Sequence, residues 1–352
     1  GWGVTGQQDI GRLYPSLPTY LSADNQAQYQ IGNSFYNPIR PQEYNPNLKW
    51  EETETRNIGL DFGFLSDRIT GSIDVYEKRT EDLLAFIPNP PFFGFSNYDN
   101  YNIGKTKNQG IEIAAEVIPV KNDNFTLSVG GNITFQNSEL TDLVDGAPDF
   151  GIETGGIAGG IGNNIQIQTV GYTPNSFFVY EQAYDNAGNP IDGVFIDRNG
   201  DGSITTADRY IYKKPNADIF YGFYTNLTYK NWDLSMFWQG AGGNKVFNSI
   251  YRNLMAGDFG NHHTDMLNYW TPTNTNTDVP SLSAANLGSD DLSDRFLRDA
   301  SYVRLRNLQI GYKVPKRFLE KTFITDLSFN LQGENLVNFT KWKGYDPESP
   351  RL

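Results

Sequence analysis

Hydrophobic and polar residues alternate along much of this chain with the two-residue period of a β-strand. Ile58, Leu60, Phe62 and Phe64 fall on one face, and Asn57, Gly59, Asp61 and Gly63 fall on the other. Phe125, Leu127, Val129, Gly131, Ile133 and Phe135 repeat the pattern against Thr126, Ser128, Gly130, Asn132 and Thr134, a run long enough to cross a bilayer when tilted. Ile111 to Val117 precedes it as a partner, and Tyr221, Phe223, Leu227 and Tyr229 are followed by Trp232, Leu234, Met236 and Trp238. The pattern predicts eight strands, at residues 53–65, 69–85, 106–119, 125–141, 217–229, 232–246, 301–314 and 326–339. In the seventh, Val303 and Leu305 have one parity and Leu308, Ile310 and Tyr312 the other, which predicts a bulge near Arg306 and Asn307.

The connections come in two kinds that take turns. Ser66 to Arg68, Lys121 to Asn124, Lys230-Asn231 and the slightly longer Pro315 to Thr325 are short, whereas 86–105, 142–216 and 247–300 are long and polar. Tight turns on one side and large loops on the other are the signature of an antiparallel transmembrane β-barrel. Alternation alone fits a soluble sandwich equally well, since only the direction of the apolar face differs.

Composition narrows the class. With 21 Tyr, 23 Phe and 35 Gly in 352 residues, the chain is suited to strands and turns, so the expected fold class is all-β. Its mean hydropathy is negative and no apolar run approaches the ~20 residues of a spanning helix. A net charge of −13 makes nucleic acid an improbable partner, and the absence of cysteine excludes disulfides and thiolate chemistry. The chain starts at Gly1 within what looks like the end of a strand, so it reads as a piece of something longer.

One segment carries sharp chemistry. Asp197 to Asp208 matches the calcium-loop template, with Asp197, Asn199 and Asp201 supplying side-chain oxygens, Gly202 the turn and Ser203 a backbone carbonyl. Thr205 would supply a hydroxyl or water-mediated contact and Asp208 the closing ligand, where the template has Glu. Hard oxygen donors favour calcium, in a structural role within the long loop 142–216. Gly104-Lys105-Thr106 lacks the earlier glycine and the following helix of a phosphate loop, and Gly155 to Gly162 lacks the order of a dinucleotide site. His262 and His263 are the only histidines and read as a solvated pair. Glu51, Glu52 and Glu54, or Asp290 and Asp291, read as solvated charge, and no catalytic set emerges. Phe92, Phe93, Phe95, Tyr98, Trp270 and Trp342 in the loops fit either ligand stacking or loop packing.

Several phrases, in serial order, resemble the C-terminal barrel portion of SusC/RagA-like TonB-dependent transporters. They are Gly1-Trp2-Gly3-Val4-Thr5-Gly6-Gln7, Asn45 to Glu51, Leu65 to Ile69, Asn108 to Glu112, Asp197 to Gly202, Tyr221-Gly222-Phe223, Tyr302 to Leu308, Gly333 to Leu336 and Gly344 to Glu348. The resemblance implies residues 1–352 as part of a 22-stranded outer-membrane barrel with long extracellular loops, importing an oligosaccharide or peptide and performing no catalysis. It also implies a SusD-like surface lipoprotein as lid, TonB as the source of drive and membrane lipid around the wall. The plug domain, the TonB-contacting N-terminal region, the first half of the barrel and the last strand would lie outside these residues. Polar residues such as Asp61, Asp74, Glu112, Glu116 and Asn132 would keep the lumen wet, and outward aromatics would meet lipid. Two other readings stand beside this one: a soluble extracellular, calcium-stabilised β module that binds or cleaves glycans, and a structural subunit of a larger outer-membrane assembly.

Overall fold

The computed structural model describes residues 1–7, 16–22, 28–41, 44–88, 98–143, 151–156, 164–255, 261–277, 279, 292–344 and 346–348. One nine-stranded antiparallel sheet dominates them: β1 (Trp2–Gln7), β2 (Glu51–Phe64), β3 (Ile69–Glu81), β4 (Gly104–Lys121), β5 (Phe125–Leu143), β6 (Ile219–Tyr229), β7 (Trp232–Gly242), β8 (Tyr302–Lys313) and β9 (Ser328–Thr340). Each strand pairs with the next in the chain, so the sheet is an up-and-down meander. All eight expected strands are present. β1 is the ninth, the strand end that the sequence suggests at Gly1, and it runs over Trp2–Gln7 against β2.

The two largest differences in strand length have a backbone cause. β3 stops at Glu81, four residues early, because Asp82 takes φ 53°, and β7 stops at Gly242 because Gly243 takes φ 92°. Left-handed residues of this kind break a ladder. On the opposite side the turns are as short as the sequence suggests. Lys230 at φ 52° lets Tyr229 pair directly with Trp232 across two residues, the twist a tight hairpin requires.

Register across the nine strands sorts the side chains by chemistry. One row, Leu60–Ile73–Ile113–Ile133–Tyr221–Gly240–Val303–Phe339, runs through eight consecutive strands without a charged residue. The next row, Phe62–Gly71–Ala115–Gly131–Phe223–Trp238–Leu305–Val337, has three small residues in its middle strands and large ones on either side. Gly71 must be small: a Cβ there would lie 2.5 Å from the Phe62 ring. The opposite face carries Asp61–Ser72–Ala114–Asn132–Gly222–Gln239–Arg304–Asn338. The expected bulge is present, with Arg306 left over between the Leu305 and Asn307 pairings to β7. That extra residue restores the parity shared with the neighbouring strands.

The apolar face is uncovered. Ile58 is 81% exposed, Leu60 63% and Leu331 72%, so among the described residues no second layer packs over these rows, and the sandwich reading fails. From Phe125 to Phe135 the apolar run on β5 spans ten steps, roughly 34 Å along the strand and about 24 Å in height at a 45° tilt. This matches the ~25 Å apolar band of an outer-membrane barrel. At its short-turn edge lies an aromatic row, Phe125–Tyr229–Trp232–Tyr312–Phe329, with the Trp232 and Tyr312 rings 4.6 Å apart. Such a row suits a membrane interface.

Ala114 and Ala115 are neighbours on opposite faces near mid-height. In the full-length protein, Ala115→Arg is expected to cost about 2–4 kcal/mol of folding free energy in lipid vesicles, and Ala114→Arg much less. Denaturant titration of the vesicle-inserted protein checks this, and equal costs would contradict the assignment of faces.

Candidate functional site

The described parts of the long connections carry structure of their own. Ile152–Gly156, Asn164–Gln168, Ser176–Val179 and Tyr210–Ile211 form a four-stranded sheet, and Gln182–Tyr184 pairs with Pro190–Phe195. Between them and the 3-10 helix Asp294–Phe296 lies the largest buried apolar cluster among the described residues, comprising Ile165, Phe177, Val179, Tyr180, Phe195, Leu292 and Leu297. A second centres on Met255, Met266 and Val279, beside the helix Ser249–Met255.

Polar groups fasten the two long loops together. The Asp294 carboxylate accepts from the Tyr210 hydroxyl at 2.7 Å and from the Gln182 amide at 3.1 Å, while the Tyr180 amide donates to the Leu292 carbonyl. Burial raises the Asp294 carboxyl above its ordinary range, and burial, reinforced by Asp294, raises the Tyr210 hydroxyl. The buried Gln182 side chain donates towards three carbonyls, of Ala183, Ile191 and Val194. Arg209, almost fully buried, donates to the Phe178 carbonyl, pairs with Glu153 at 3.1 Å and lies 4.2 Å over the Phe178 ring.

Arg209 directly follows the acidic loop, whose six expected ligands the structure places close in sequence but in distinct roles. Asp197 accepts from the amides of Gly200 and Gly202 at 2.7 and 2.8 Å. Asn199 accepts from the Asp201 amide and donates to the Asp201 carboxylate, which in turn accepts from the Ser203 amide. Gly200 and Gly202, at φ 75° and 83°, make the tight path possible. Thr205 caps the 3-10 helix Thr206–Asp208. Asp208 is fully buried, accepting from the amides of Thr205, Arg198 and Asn199, and these bonds, that of Thr205 first, hold its carboxyl below the ordinary range. Among the described residues no three of His, Cys, Asp or Glu converge as a metal-holding group. The donor chemistry, all hard oxygen, fits calcium; Asn199 and Asp201 are exposed and Asp197 is half-buried.

The other residues singled out by the sequence take varied places, and His263, Glu51 and Glu54 are more than solvated charge. Gly104 opens β4, so no phosphate loop exists there, and His263 caps the 3-10 helix Thr264–Asn268. Glu51 accepts from the Leu84 amide, and Glu54 from the Trp2 indole. Phe92, Phe93, Phe95, Asp290 and Asp291 lie outside the described residues. On the polar face, Glu116 accepts from Ser128 and Tyr224. Sequence reasoning missed the pairing of Arg304 with Asp346 at 2.5 Å and with Glu348 at 2.6 Å, a network that also holds Arg306 and Tyr302. The only signal was the closely spaced arginines of β8 and the acidic Asp346-Pro347-Glu348.

Residues 2–336 match the family model described as "TonB dependent receptor-like, beta-barrel". The chain belongs to this family. Its members are outer-membrane β-barrels of transport, not a class of enzymes. The chain is 37% identical, over 99% of its length, to TonB-dependent receptor SusC of Bacteroides thetaiotaomicron, and 34% identical, again over 99%, to TonB-dependent receptor P3 of Formosa agariphila. It covers 34% and 35% of those proteins, so it spans about a third of the length of the curated relatives it matches. Among solved structures, the RagAB peptide transporter aligns with a TM-score of 0.81 at 25% identity, over 99% of this chain and 37% of that one. These matches and the register agree that the nine strands are a stretch of barrel wall.

The two carboxyls of this TonB-dependent receptor segment have opposite pH signatures. Asp294 holds its proton more tightly folded than unfolded, so the clamp loses stability as pH rises from about 4 through its raised value. Asp208 is the reverse, its contribution complete above about 4 and lost below. After correction for intrinsic rates, amide exchange at Tyr180 and Gln182 should slow as pH falls from neutral towards about 4, and Asp294→Asn should abolish the trend. Exchange at Asn199 and Thr205 should stay flat over that range. Exchange at Gln182 that is independent of pH in the unsubstituted protein would overturn the assignment.

Proposed function

We propose that this chain is wall and exterior loop of a SusC-like importer, carrying an oligosaccharide or peptide across the outer membrane. The observation that carries the reading is the eight-strand apolar row facing outward opposite a continuous polar face, in a chain that matches SusC along 99% of its length. A SusD-like lipoprotein would close over the loop cap, and TonB would act through a region outside residues 1–352. The chain's residues would bind and line; none would catalyse. Uptake of labelled oligosaccharides and of labelled peptides by cells carrying the full-length protein tests this. Accumulation of one class should stop when the loop 142–216 is deleted and when a protonophore is added. Uptake of both classes unchanged by either treatment would sink the importer reading.

The acidic loop is proposed to hold a structural calcium ion through Asp197, Asn199, Asp201, Ser203, Thr205 and Asp208, with the matching spacing and oxygen-only donors as support. The ion would order the strap between Phe195 and Arg209. Asp201→Ala, or a chelator on the unsubstituted protein, is expected to raise protease cleavage within 180–216 several-fold. Identical cleavage with and without chelator would count against the ion.

A further inference from the structure

Above Phe135 the outward rows turn charged, as in Glu54–Arg79–Lys107–Glu139, and Glu139 also lines a cavity of about 500 Å³ at the rim of the wall. Ser138 and Asp218 line it from the polar side, and Lys213, Lys214 and Lys245 from the long connections. Two of these three ammonium groups are taken, since Lys214 pairs with Asp218, and Lys245 with Asp299 at 3.4 Å. Lys213 has no carboxylate partner among the described residues, and its ammonium lies 5.4 Å from the centre of the Tyr212 ring. Glu139 has no base of its own among them either, because Lys107, its neighbour across the ladder, is held by Glu77 at 2.8 Å. The cavity therefore offers one free charge of each sign.

The backbone holds Lys213 in place. It takes φ 63°, a conformation that residues other than glycine rarely adopt, and its carbonyl accepts from the Phe177 amide at 3.2 Å. Just before it, Tyr210–Ile211 is an outer strand of the four-stranded loop sheet, pairing with Ser176–Val179 on one side and, among the described residues, with no strand on the other. Ile211 lines the cavity, so the uncovered edge lies beside it. Such an edge presents N–H and C=O groups to an extended chain. We propose that this cavity is a peptide subsite, an inference that rests on the import function above and selects between its two ligand classes. A short peptide adds itself to the edge at Tyr210–Ile211, sets its terminal carboxylate on the Lys213 ammonium and turns a basic group towards Glu139. A neutral oligosaccharide has no charge to set against either residue, and a simple anion meets Glu139 as well as Lys213.

The test equilibrates the purified full-length protein in micelles with a library of lysine-containing tetrapeptides bearing free carboxyl ends, with the same library amidated at that end, and with a neutral glucose hexasaccharide. Bound probe is counted by native mass spectrometry. The free acids should bind about tenfold more tightly than the amides, the worth of one charge-assisted contact, and the hexasaccharide least. Lys213→Asn removes the ammonium yet suits the left-handed backbone, so the variant folds and the preference for acids should vanish; Lys213→Arg should keep it. Norleucine in place of the peptides' lysine should weaken binding to the unsubstituted protein but not to Glu139→Gln. Lys321→Gln, in the last short connection, should change nothing. Acids and amides bound alike, or a preference that survives Lys213→Asn, would overturn the subsite whatever cells take up. Failure of uptake by cells with this preference intact would instead count against import alone.

Discussion

A strand has only two faces, and nine strands keep theirs in step. Every apolar row depends on each strand meeting its neighbour without a one-residue slip, since a slip turns every side chain beyond it to the other medium. Hydrocarbon enforces the same rule through the backbone, because an amide unpaired in lipid has no water to turn to. The antiparallel ladder from β1 to β9 satisfies both demands together. Where β8 gains Arg306, the strand absorbs it as a bulge at the height where its outward face passes from Leu305 to Leu308, and the parity of both halves is preserved.

This constraint divides the work between wall and cap. The wall turns its large apolar side chains outward and holds its inner face with polar contacts such as Glu116 to Tyr224. It therefore has little apolar core of its own. The core-like packing sits in the long connections, around Phe177, Val179 and Tyr180, where Asp294, Gln182 and Arg209 link segments far apart in sequence. A cap with its own core and its own polar fasteners is stiff and does not rely on the membrane for its shape.

The wall was legible in the sequence because a two-residue period survives in a single chain without knowledge of neighbours. Even the bulge could be read, since Leu305 and Leu308 have opposite parity. β1 was legible only as a strand end at Gly1, without its length, and the hairpins inside the long loops, whose strands are three to six residues long, were not legible at all. Partners such as Tyr210 and Asp294, 84 residues apart, or Tyr302 and Glu348, 46 apart, leave no periodic trace. The acidic loop was legible as a list of oxygens, but the burial of Asp208 against three backbone amides depends on the fold around it. That residue anchors the strap whatever else the strap holds.

The aromatic row from Phe125 to Phe329 and the charged rows above Phe135 act as the two ends of a gauge. Between them the protein offers a fixed apolar height of about 24 Å, less than the ~30 Å hydrocarbon thickness of an average bilayer. A thick membrane would have to pinch inward around this wall, at a fraction of a kcal/mol for each ångström of mismatch, whereas a thin one meets it undeformed. Acyl-chain length thus becomes a sorting variable, and the barrel is tailored to the thinner of a cell's envelopes by geometry alone.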